Sequence, residues 1–186
     1  MAQHSDAGQL ALPALNPAPR VLIVAAPYYQ AIADGLIAGA SDVLSRAGAV
    51  FEIVSVPGAL EIAPAIRLAA DGRGFEGFVA IGCVIRGETT HYETVCEESA
   101  RGLTLLAVER GLPIGNAILT VENTAQADIR ADPSGQNKGG GAAEACLHLI
   151  ALARRFRGGS TIGGTSGRQG AAMMGEPAAA VGEDAQ

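Results

Sequence analysis

From Gly77 to Ile85 the chain is apolar, broken only by Gly82, and it changes character abruptly at Arg86-Gly87-Glu88-Thr89-Thr90-His91. The run is too short for a free-standing helix and rich in β-branched residues, which makes it a buried strand. After it, Val95, Ser99, Leu103 and Leu106 recur at helical spacing. Thr90 with Glu93 fits a capping box and sets His91 in the first turn of that helix. The stretch therefore predicts a strand, a tight glycine turn and a helix N-terminus whose free N–H groups and dipole favour an anion. Hydroxyls and a titratable imidazole lie at the same place. Anion binding beside proton transfer points to an enzyme.

The same alternation runs along the chain. Arg20 to Ala26 reads as a strand, Pro27-Tyr28-Tyr29 turns the chain, and Ile32, Leu36, Ile37, Val43 and Leu44 trace one face of a helix ending near Gly48. Val50 to Val56 is a second strand, and Pro57-Gly58 leads into a helix over Leu60 to Ala70. Gly111-Leu112-Pro113 is a break, and Ala117 to Val121 is a further strand. Asn123 and Gln126 cap a short helix that stops at Asp132-Pro133-Ser134-Gly135, and Gly139 to Phe156 is the last helix. Residues 1–19 read as a Pro-rich arm, 20–157 as one α/β domain, and 158–186 as a flexible Gly/Ala-rich tail.

Strands that look buried on both faces and alternate with helices imply a three-layer, flavodoxin-like domain with a four-stranded parallel sheet in the order 2-1-3-4. The switch point then lies between the first and third strands, where ligands bind at the strands' carboxyl ends. The loops at Pro27-Tyr28, Pro57 to Glu61 and Gly87 to His91 converge there.

With 186 residues, the chain is long enough for one domain with a real core. Its net charge of −6 argues against nucleic acid as the main partner. Cys83, Cys96 and Cys146 are odd in number and widely spaced, which suits small hydrophobes in a reducing cytosol rather than zinc or a disulfide framework. No apolar run reaches the length of a membrane span, and no signal peptide is evident, so the expected location is cytoplasmic.

His91 is the strongest candidate, because an imidazole carries protons in both directions near neutral pH. His4 and His148 read as surface or structural residues. Gly87, Glu88 and Thr89 offer N–H groups and a hydroxyl to phosphate, or form an ordinary turn. Arg130 and Lys138 flank a Pro/Gly-rich break and either bind an anion or stand in solvent. Glu61 accepts from ring N–H groups or merely suits a helix N-terminus. Tyr28 and Tyr29 stack on a heterocycle or pack in a loop. Arg86 reads as a structural ion-pair residue. Gly139-Gly140-Gly141 lacks the P-loop order and reads as a helix start.

Four blocks taken together carry a resemblance: Val56-Pro57-Gly58-Ala59-Leu60-Glu61-Ile62, Gly82-Cys83-Val84-Ile85-Arg86-Gly87-Glu88-Thr89-Thr90-His91-Tyr92, Thr120-Val121-Glu122-Asn123 and Asn137-Lys138-Gly139. In order and separation they resemble the 6,7-dimethyl-8-ribityllumazine synthase family over about residues 20–157. The resemblance implies condensation of 5-amino-6-(D-ribitylamino)uracil with 3,4-dihydroxy-2-butanone 4-phosphate, the penultimate step of riboflavin synthesis, with no cofactor or metal. It makes His91 the proton-transfer residue and Thr89, with the backbone of Gly87 and Glu88, part of the phosphate site. Arg130 pairs with phosphate and Lys138 lies near the substrates. Ala59, Leu60 and Glu61 hold the pyrimidinedione and ribityl chain, Tyr28 takes the place of a stacking Phe, and Val84, Ile85 and Asn116 complete the pocket. The last is a departure, since many members have Phe there, and Asp132 to Gln136 keeps the usual length with altered residues.

The resemblance also implies sites between adjacent subunits of a pentamer, stacked as a decamer or closed into a sixty-subunit shell in some members, with pentamer or decamer expected here. Riboflavin synthase is a candidate partner. Two competing functions use the same residues: a flavin- or lumazine-binding protein with little activity, and a monomeric phosphate-sensing signalling domain.

Overall fold

The structure is a computed structural model that describes residues 10–72 and 74–158. In chain order it contains β1 (Arg20–Ala25), α1 (Gln30–Arg46), β2 (Val50–Ser55), α2 (Ala59–Asp71), β3 (Gly77–Ile85), α3 (His91–Arg110), β4 (Ile114–Val121), α4 (Thr124–Ala131) and α5 (Lys138–Arg157). The sheet has the expected order, β2-β1-β3-β4, and every pairing is parallel. His4, the start of the arm and the tail from residue 159 lie outside the described residues.

Alternation within the central strands builds a core on each face of the sheet. Val21, Ile23 and Ala25 of β1 with Val79 and Ile81 of β3 pack under Leu36, Leu44, Leu147 and Ile150 of α1 and α5, with Ala127 and Ala131 of α4 beside them. On the other face, Leu22 and Val24 with Phe78 and Ala80 pack under Ile62 and Ile66 of α2 and Leu103 of α3. Parallel strands need crossovers, and right-handed crossovers place α1 and α3 on opposite faces. The chain therefore leaves adjacent strands β1 and β3 in opposite directions, and a crevice opens between them.

The edges depart from expectation. β2 is not buried on both faces: Val50, Ile53 and Val54 are exposed, because an edge strand has one neighbour and little helix over it. β4 begins earlier than Ala117, at Ile114, where Pro113 O accepts from Phe78 N at 2.8 Å and draws the strand into register. Its exposed positions, Asn116 and Thr120, alternate with buried ones. Part of the arm lies on the chain itself. Leu12 and Leu15 pack against the α1/α5 core, and Pro17 O accepts from Arg154 at 2.7 Å. Arg154 also grips Glu76 through paired bonds of 2.8 and 2.9 Å, tying α5 to the segment before β3.

Capping succeeds at one helix and fails at another. Asn123 Oδ1 accepts from Gln126 N at 3.0 Å, the N-cap expected at α4, while Gln126 Oε1 reaches back one residue beyond the cap and accepts from Glu122 N at 3.0 Å. At α3 the expected capping box does not form. Thr90 has φ −67° and ψ −1°, already helical, and makes no side-chain cap. A capping hydroxyl needs extended backbone to reach the N–H groups ahead of it. Glu93 is drawn away to Arg86 by the stronger charge-assisted bond.

The glycines at the start of α5 are structural. A Cβ on Gly139 would stand 2.0 Å from Leu36 O of α1, and one on Gly115 would stand 1.9 Å from Ala142 O. Both obstacles are backbone, so α5 sits on α1 and β4 closer than any side chain permits. Gly141 faces open space. Gly139→Ala should lower stability by at least about 1–3 kcal/mol in a denaturant titration, through overpacking that cannot relax. Gly141→Ala should hold or raise it, by up to about 1 kcal/mol, because Ala is the better helix former. Equal midpoints for the two variants would contradict this packing.

Candidate active site

At the carboxyl ends of β1 and β3 lies a cleft of about 460 Å³. The loop after β1 supplies Tyr28 and Tyr29, the loop after β2 supplies Pro57 to Glu61, and β3 with its turn supplies Cys83 to Ile85, Gly87 and Thr89. The first turns of α3 close it with His91, Tyr92 and Val95. The switch point predicted from strand order is therefore a real concavity. It gathers Tyr28, Ala59, Leu60, Glu61, Val84, Ile85, Gly87, Thr89 and His91 from the expected residues.

Local chemistry explains each placement. Tyr28 is exposed at the rim, its ring 5.1 Å from that of Tyr29 at 72°, an edge-to-face pair that leaves one face of Tyr28 open to a flat ligand. Tyr29 is partly buried, and burial, helped by Tyr28 and Cys83, pushes its phenol above the ordinary range. Gly58 has extended backbone (φ −153°) and opens α2 without a side-chain cap. A Cβ there would lie 2.9 Å from Glu61 Oε2, so the Glu61 carboxylate hangs over the helix N-terminus, where the dipole favours it. Gly87 has no positive φ, and a Cβ on it would meet nothing within 4 Å. That glycine leaves room in the cleft and is not demanded by the turn.

Four expected residues do not line this cleft. Glu88 is exposed on the turn beside it. Asn116 lies on β4 opposite Ala80, its side chain accepting from Ile118 N at 2.8 Å. Arg130 is half-buried on α4 and donates to Gln126 O at 2.8 Å, and Lys138 opens α5. The last two share the sheet's carboxyl-end rim with His91 but stand on the α1 side. Within one chain the cleft thus holds hydroxyls, a carboxylate and an imidazole, and no Lys or Arg is among its lining residues.

Residues 18–154 match the family described as 6,7-dimethyl-8-ribityllumazine synthase. The chain belongs to that family. Among similar proteins, the 6,7-dimethyl-8-ribityllumazine synthase of Jannaschia sp. (strain CCS1) is 50% identical over 156 residues, 84% of this chain and 86% of the relative. That of Methylocella silvestris is 57% identical over 139 residues, 72% of this chain and 85% of the relative. That of Novosphingobium aromaticivorans is 53% identical over 137 residues, 74% of this chain and 98% of the relative. The match spans every described strand and helix of the lumazine synthase domain, except that α5 runs three residues beyond it.

Some lining residues escape a reading by motif. Val95 lies one helical turn after His91 on the same face, a spacing that could have revealed it. Tyr92 and Cys83 are neighbours of marked residues with no chemical signal of their own. Cys83 is buried, and burial with the Asp128 charge nearby pushes its thiol up to about 11, while burial takes Cys146 to about 12. Only the thiolate is reactive, and its fraction grows as pH rises towards the pKa. Alkylation of the folded chain at about pH 8 should therefore spare both cysteines, with Cys83 labelling accelerating only towards the strongly alkaline range. Rapid labelling of Cys83 near neutrality, read by peptide mass mapping, would contradict its burial.

Proposed function

We propose that the chain is an active lumazine synthase, condensing 5-amino-6-(D-ribitylamino)uracil with 3,4-dihydroxy-2-butanone 4-phosphate to 6,7-dimethyl-8-ribityllumazine and releasing phosphate and water. One observation supports this most: His91, Thr89, Glu61 and Tyr28, from three separate segments, share a single cleft large enough for a heterocycle and a short phosphorylated ketone.

The steps follow from those groups. The amine of the pyrimidinedione attacks the ketone, and loss of water leaves an imine. A proton is removed from the carbon beside the imine and phosphate departs from the next carbon, leaving an enol. A proton returned to its terminal carbon gives a methyl ketone, on which the ribityl-bearing nitrogen closes the ring with loss of a second water. His91 moves protons in these steps, because one imidazole both accepts and returns them near neutrality. Thr89 and the backbone of Gly87 and Glu88 take the phosphate at the start of α3. Tyr28 stacks on the pyrimidinedione, Glu61 with the Ala59 and Leu60 backbone holds its polar edge and the ribityl chain, and Val84 and Ile85 form the apolar floor. Placing two substrates in contact is itself a large share of such catalysis.

A phosphate leaving group wants a cation, and Arg130 is the residue assigned to it, with Lys138 near the substrates. Standing apart from the cleft of their own chain, they serve the cleft of an adjacent copy, as does Asn116 from β4. The protein then works as a cytoplasmic homo-oligomer, pentamer or decamer, built from the 20–157 domain with the 1–19 arm and the 158–186 tail as appendages, and riboflavin synthase is a candidate partner. The exposed apolar strip Val50, Ile53 and Val54 on edge strand β2 suits coverage by a neighbour. Among the described residues, no helix is long and apolar enough to cross a membrane.

Turnover of the two substrates, followed by lumazine absorbance, tests the activity. His91→Ala should lower kcat by about tenfold to a hundredfold, since proximity survives while proton transfer does not. Arg130→Ala should raise KM for the phosphorylated ketone by about tenfold or more, the worth of one charge-assisted bond. Tight lumazine binding without turnover would defeat the assignment, as would full activity in both variants.

A further inference from the structure

We propose that Arg86 is a positioning residue for the reaction, holding the first turn of α3 and with it His91. The inference rests on the assignment of His91 as the proton carrier.

Arg86 follows β3 directly, and its N–H donates to Val121 O at 3.0 Å, extending the β3–β4 pairing by one step. Its guanidinium then spreads in three directions. Nε donates to Glu122 Oε2 at 2.6 Å, just beyond β4. One terminal nitrogen donates to Glu93 in the first turn of α3. The guanidinium carbon lies 4.1 Å from the centroid of the Tyr92 ring. Tyr92 lines the cleft, and His91 and Glu93 flank it in the chain. One side chain thus links the ends of two strands to Tyr92 and Glu93, the two residues that follow His91 in the first turn of α3.

The helix start supplies the second reason. Thr90 gives α3 no side-chain cap, and Glu93, the residue that closes a capping box, is turned to Arg86 instead. Arg86 is the outside hold on a turn that lacks the usual one inside. The pairing keeps the Glu93 carboxyl below its ordinary range and raises the guanidinium above its own. These groups are about half exposed, so the pairs add little to global stability. Their effect is local. A planar fork that bonds two carboxylates while lying on a ring sets an orientation, and the point charge of a lysine cannot do all three. A helix turn displaced by about 1 Å is enough to cost on the order of a hundredfold when it carries a reacting group.

The test is a double-mutant cycle on the full chain, with Arg86→Lys, His91→Ala and the double variant assayed for kcat and for KM of each substrate. Arg86→Lys should lower kcat by about tenfold or more with KM for the pyrimidinedione nearly unchanged. On the His91→Ala background the same change should cost less than about twofold, because its effect passes through His91. A purely structural role would lower activity equally on both backgrounds, and that result overturns the proposal. So does Arg86→Lys at parental kcat. If Arg86→Lys fails to fold, judged by thermal melting, Glu122→Gln replaces it in the cycle and removes one arm of the clamp with the same expected pattern. Parental activity in His91→Ala would instead overturn the assignment of His91, a separate and distinguishable failure.

Discussion

Adjacent parallel strands that send their helices to opposite faces cannot close the sheet edge between them, and this geometric constraint creates the site. β1 turns into α1 on one side, β3 turns into α3 on the other, and the loop after β2 comes in at the same rim. Everything chemical about the chain is hung on that opening. The aromatic pair arrives with the first loop, the carboxylate with the second, and the hydroxyl and imidazole with the third. The two apolar cores fix the sheet, and the sheet fixes the distances between those loops.

The rim is longer than the cleft. Arg130 near the end of α4 and Lys138 at the start of α5 stand outside it, and the close seating of α5 on Leu36 through Gly139 sets the start of that helix. A chain with net charge −6 leaves a phosphate to be held by local donors. One cleft supplies N–H groups and a hydroxyl, and the cations stand elsewhere. On the proposed function, these two incomplete halves, each lacking what the other has, would make a complete site where two copies meet, and catalysis would then depend on assembly.

Much of this was legible in the sequence because the signals were of the right kind. β3 was found to the residue, since a continuous apolar run bounded by Glu76 and Arg86 has sharp ends. The strand order followed from right-handed crossovers and short loops. The edge strands are less legible: the apolar run Val50 to Val56 reads as buried, but whether an edge is covered depends on what lies beyond the chain. The capping box at Thr90 does not form, because spacing records which residues could bond, not the backbone angles or the competing arginine. Within the site, residues with chemical functions are legible from their own character, whereas the apolar liners Ala59, Leu60, Val84 and Ile85 come only with the family resemblance and Val95 with neither. A valine or a cysteine beside a ligand has the same sequence character as one in the core. The lumazine synthase resemblance implies that Arg130 and Lys138 face His91 of a neighbouring subunit, and in the structure neither lines the cleft of its own chain.

The claim that a working site needs two copies can be tested by mixing. His91→Ala and Arg130→Ala chains, each assembled alone, carry a defect in every site. Unfolded together and reassembled, they form some sites with an intact His91 from one chain and an intact Arg130 from the other. The account predicts lumazine formation in the mixture well above the sum of the two separate preparations. Activity that never exceeds that sum, from mixtures shown by native mass spectrometry to contain both chains, would mean that each chain builds its site alone.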